Sequence, residues 1–76
     1  MNQTVKRLPD DYFWRLVDGY ESGGRSVRSA CTDIIDAHKR FGIKNLDEAV
    51  SDYERLTGRD ASTFVKNYLK QGLQLN

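Results

Sequence analysis

Apolar residues along this chain recur three and four positions apart, the spacing that lines one face of a helix. Phe13, Leu16, Val17 and Tyr20 make the first run, and Tyr12 and Trp14 widen its face. Val27, Ala30, Cys31, Ile34, Ile35, His38 and Phe41 make the second. Ala49, Val50, Tyr53 and Leu56 make the third, and Ala61, Phe64, Val65, Tyr68 and Leu69 the fourth, which Leu73 extends before a frayed tail. No segment alternates in the strand manner, and no Asn-Gly or Asp-Gly pair lies between β-branched runs. The pattern predicts an all-α fold: a small single-domain bundle of four short helices.

The residues between the runs read as starts and stops. Pro9, the only proline, suits a first helical turn, where its missing N–H is not needed. Asp10 and Asp11 follow it at the positive helix end. Gly23-Gly24 stops the first helix, and Ser26 can cap the second. Lys39 and Arg40 fall in the second helix's last turn, and Gly42 ends it. Asn45, with Glu48 three residues on, opens the third in a loose capping-box pattern. Gly58 is its stop, a position that calls for positive φ. Asp60 is expected to cap the fourth. The linkers are short, so successive helices are expected to pack antiparallel or at a corner. Residues 1–8 read as a polar N-terminal arm and 9–76 as one helical domain. Periodicity puts Phe13, Leu16, Val17, Val27, Cys31, Ile34, Ile35, Val50, Tyr53, Leu56, Phe64, Val65 and Tyr68 in the core.

Size and charge narrow the function classes. A chain of 76 residues has room for one core, and so small a core supplies only a few kcal/mol. Twelve basic residues against eleven acidic leave a net charge of +1. That balance gives no global field for nucleic acid or acidic lipid. With one cysteine there is no internal disulfide, and the chain reads as cytoplasmic. No window is apolar and long enough for a signal peptide or a membrane span, so no membrane partner is expected.

Candidate chemistry is sparse. Residues 19–26 carry phosphate-loop spacing from Gly19 to Arg25 and Ser26, with Arg in place of Lys. That loop needs a strand before it, and a helix precedes it here. Cys31 and His38 share a helical face but stand seven residues apart, about 10 Å along the axis, too far for a thiolate–imidazole pair. No second Cys or His completes a metal set. Asp33, Asp36, Asp47, Glu48, Asp52 and Glu54 read as solvated carboxylates. The expectation is a protein with no catalytic, cofactor-binding or metal-binding residues.

Two resemblances meet at one corner. Ser51, Asp52, Leu56, Thr57, Gly58, Arg59, Thr63 and Phe64 match a pattern that closes NmrA-like atypical short-chain dehydrogenases, over a quarter to a third of the chain. In that family the element belongs to the small substrate-side region. The chain has neither a glycine-rich loop after a strand nor a Tyr followed four residues later by Lys. The resemblance therefore implies a detached substrate-side segment without oxidoreductase chemistry. The same stretch is similar to a helix-turn-helix, with Leu46 to Leu56, a turn at Gly58, and a recognition helix from Asp60 to Lys70. Glu54 departs from that pattern, where a small residue is usual, and Asp60 would stand near phosphates.

The leading functional expectation is a non-catalytic module that binds a protein partner or itself. Trp14 and Tyr12 each lie about 100° around the helix from Phe13, in opposite directions, so core packing should not bury all three. Tyr12, Trp14 and Tyr20 are the candidate partner-binding residues, of types that interfaces enrich. The alternative is a DNA-binding regulator, with Arg25, Arg28, Ser62, Lys66, Asn67 and Lys70 as nucleic-acid contacts and Thr63 facing the groove.

Overall fold

The computed structural model describes residues 8–23 and 26–75. Among them it contains four helices and no strand: α1 (Asp10–Gly23), α2 (Val27–Phe41), α3 (Leu46–Thr57) and α4 (Thr63–Gly72). The all-α expectation holds. Gly24, Arg25 and the residues before Leu8 lie outside the described residues.

Local chemistry sets the helix ends. The Ser26 hydroxyl accepts the Ser29 N–H at 3.2 Å, and the Asn45 side-chain oxygen accepts that of Glu48 at 3.2 Å. Each satisfies a backbone donor that the first helical turn leaves free. Gly42 closes α2 at φ 71°, with its N–H directed to the Lys39 carbonyl and that of Ile43 to the His38 carbonyl. This is a Schellman arrangement. Gly58 closes α3 at φ 70°, its N–H donating to the Glu54 carbonyl at 2.8 Å.

Two ends differ from expectation. The cap of α4 is Ser62, which accepts the Val65 N–H at 3.2 Å, and not Asp60. The reason lies in the linker, where the Glu54 carboxylate accepts the Ala61 N–H at 2.9 Å and delays the helix. Leu73, Gln74 and Leu75 close the helix and are not frayed. Gln74 N–H donates to the Gln71 carbonyl and Leu75 N–H to that of Lys70, a second Schellman closure. Gln74 itself takes φ 59°, the one non-glycine residue at positive φ among those described.

Helix α2 packs against both α3 and α4, α3 packs against α4, and α1 lies mainly on α3. Tyr12 also meets Phe41 at the end of α2, ring edge to ring face at 5.0 Å. Ile34, Tyr53 and Leu69 are sealed at the centre, with Phe13, Cys31, Ile35, Leu56 and Val65 around them. Each such large apolar side chain contributes about 1.5–3 kcal/mol relative to an exposed one. Leu16, Val17, Val27, Val50 and Tyr68 are only partly buried against this core. Phe64 is a correction: it is 53% exposed. Its place is taken by residues beyond the expected set, Leu8, Ile43, Leu69 and Leu73, and by Ala30, Ala37 and Ala49 where helices meet. Leu8, read from sequence as part of the arm, packs into the core.

Contact between α2 and α4 is close at one place. A Cβ on Gly72 would overlap the Ile35 side chain, so this glycine is what lets Ile35 seat between the helices.

Candidate functional site

One polar cluster is built inside the bundle. α2 presents His38 from its last turn, and α3 presents Asp52 from its middle, so the two side chains meet between the helices. His38 Nε2 and Asp52 Oδ2 are 2.8 Å apart, and both residues are buried. Asp52 is therefore not the solvated carboxylate that the sequence suggests, and His38 is fully interior. The second carboxylate oxygen lies 3.5 Å from Arg55 Nη1. The Arg55 guanidinium stacks over Phe13, 4.0 Å from the ring centroid, on the side where α1 packs.

An imidazole held by a carboxylate is a general-base arrangement only if its free nitrogen can reach a substrate proton. His38 Nδ1 is buried and has no hydrogen-bond partner. Burial also pushes the Cys31 thiol above its ordinary range, which suppresses the thiolate a nucleophile needs. No group of three or more ligating side chains occurs among the described residues. The cluster acts as a polar tie between helices. A cavity of about 280 Å³ beside it is lined by His38, Lys39, Lys44, Leu73 and Gln74, among others. It is at or below the small end for small-molecule sites.

The surface carries the other candidates. Trp14 is 60% exposed on α1, although its neighbour Phe13 is fully seated and touches it edge-on at 5.7 Å. Tyr12 is half-buried against Phe41, and Tyr20 is half-buried against the core. Of the three residues proposed for partner binding, Trp14 alone presents most of its surface. Asp10, Asp11 and Asp18 are exposed beside it, three or four residues away along the helix and so on the same face.

The candidate nucleic-acid residues separate into two groups. Ser62, Lys66, Asn67 and Lys70 are exposed at α4, with Ser62 engaged as the cap. Arg28 is exposed on α2 and lines a cavity with Tyr68. Lys66 and Lys70 each lie about 160° around α4 from Tyr68, so Arg28 and the two lysines do not converge. Arg25 lies outside the described residues.

The segment shared by both resemblances forms the α3–α4 corner. Thr57 Oγ1 donates to the Tyr53 carbonyl at 3.0 Å and accepts the Arg59 N–H at 3.2 Å. Glu54, the misfit for a helix-turn-helix, anchors the linker through Ala61. No described helix is long and apolar enough to cross a membrane. No protein-family model, curated protein or solved structure matches this chain.

Proposed function

We propose that this protein is a small non-catalytic helical module that associates with a protein partner or a second copy through the outward face of α1. The observation that carries the reading is Trp14, 60% exposed in the middle of a helix whose inner face is well packed. Tryptophan offers a large, rigid contact surface, and it is enriched among the residues that dominate binding energy. Asp10, Asp11 and Asp18 surround it with negative charge, which gives the face a preference among partners. Sedimentation of the wild type and of Trp14→Ala over a concentration series tests the reading, together with capture from native lysate. Trp14→Ala should weaken association and leave helical content intact. The reading falls if the wild type stays monomeric and captures nothing, or if Trp14→Ala unfolds the chain.

A second reading, binding to DNA through α4, has one observation in its favour. α4 carries Lys66 and Lys70 and no carboxylate. Against it stand the exposed Asp60 just before the helix and the separation of Arg28 from the lysines. Titration against random duplex at two salt concentrations decides it. Phosphate contacts would make affinity fall steeply with salt.

A further inference from the structure

We infer that the trough between α2 and α4 receives the α1 face of a second copy of this chain. The inference rests on the reading that Trp14 centres a docking face, and it adds the surface that would accept that face.

Two cavities of about 380 and 290 Å³ share Thr32 and Tyr68, and so form one trough along the α2–α4 seam. Arg28 lines one end and Lys39 the other, both exposed. Asp33, also at the Arg28 end, is already engaged in an interaction of its own. Beside the shared middle, Phe64 stands exposed with its ring 5.8 Å from that of Tyr68. The trough thus offers a cation, an aromatic centre and a second cation in order.

The α1 face presents the complementary order. Asp10 and Asp11 come first, Trp14 next and Asp18 last, each carboxylate within about 60° of Trp14 around the helix. Its carboxylates span about 11–12 Å of helix and the cations Arg28 and Lys39 about 16 Å. The long side chains of Arg and Lys close that difference by leaning inward. Trp14 then falls toward Tyr68 and Phe64. Arg15 is the one exposed cation on the α1 face, offset by about 100° from Trp14.

Face and trough are different surfaces of one molecule. A single face-to-trough contact leaves one free face and one free trough, so association continues with concentration until the rotation between copies closes the assembly. The charged ends make it weaken as salt is added.

Charge exchange tests this directly. Asp11→Lys with Asp18→Lys makes the face basic, and Arg28→Glu with Lys39→Glu makes the trough acidic. Each double variant alone should stay monomeric at concentrations where the wild type sediments faster. An equimolar mixture should associate again, because each variant's face then meets a trough of opposite charge. Circular dichroism checks that both remain helical, and Arg28→Gln with Lys39→Gln serves if the glutamates disturb α2. Failure of the mixture to recover association overturns the inference. If the trough variant associates like the wild type while Trp14→Ala does not, the trough is wrong and the Trp14 face stands. If the wild type is monomeric at every concentration, self-association is wrong, and lysate capture alone then judges the Trp14 face.

Discussion

His38 Nε2 and Asp52 Oδ2 lie 2.8 Å apart across the α2–α3 interface, sealed from solvent on both sides. Asp52→Ala would strand the imidazole with no partner at either nitrogen. The expected loss is about 1–3 kcal/mol for an unsatisfied buried group. Asp52→Asn retains an oxygen acceptor and should lose less. Urea midpoints of the two variants measure the difference, and an Asp52→Ala protein as stable as the wild type would refute the structural role of the pair.

Alkaline pH should destabilise the fold through Cys31 and Tyr53. Burial raises both groups above their ordinary values of 9.0 and 10.0, and the nearby Cys31 adds a smaller upward push on Tyr53. A raised acid holds its proton longer when folded than when unfolded. Stability from both is therefore fully present below pH 9 and falls as pH climbs, since the unfolded chain ionises first. Chemical denaturation from pH 7 to 10.5 checks the sign. Cys31→Ala should remove the earliest part of the decline.

Gly72→Ala should destabilise the protein, although alanine favours helices by about 1 kcal/mol over glycine. The new methyl group would occupy the space of the Ile35 side chain. Overpacking of this kind costs about 1–3 kcal/mol. A double variant with Ile35→Val should recover part of the loss. Thermal melts of the four proteins form the cycle, and additive losses would mean that the two positions do not touch.

Positive φ makes opposite predictions at two helix ends. Gly58→Val places a β-branched residue at φ 70° and should destabilise strongly, by more than the 1–2 kcal/mol that the left-handed conformation costs an ordinary residue. Gln74 already bears that cost at φ 59°, so Gln74→Gly should raise the denaturation midpoint, by roughly 1 kcal/mol or less. A lower midpoint for Gln74→Gly would contradict the closure described for α4.

What was legible in the sequence was local. Ser26, Asn45, Gly42 and Gly58 act within three or four residues of themselves, and their chemistry is visible in the spacing alone. Asp60 and Ser62 are both competent caps; the choice between them is made by Glu54 from the preceding helix, which a scan along the fourth helix does not see. Asp52 and Phe64 failed for the same reason in opposite directions. Each stands beside a buried neighbour, Tyr53 or Val65, at the margin of its apolar stripe. Periodicity gives a stripe's centre well and its edges poorly. The partner that buries Asp52 is His38, on another helix and fourteen residues away. Trp14 was identifiable because its 100° offset from Phe13 is a property of one helix. The α2–α4 trough was not, because it exists only once the two helices are packed.

Arg55 reaches two places at once, the ring of Phe13 and the inner carboxylate of Asp52. The helix that displays Trp14 is thus fastened partly by a cation whose other attachment is in the protein's centre. Neutralising Asp52 would free Arg55 to swing toward water and shorten the time α1 stays seated. Amide exchange in α1 would then quicken before exchange in α2 or α4. The readiness of the outer face would be set by a carboxylate that no partner can touch.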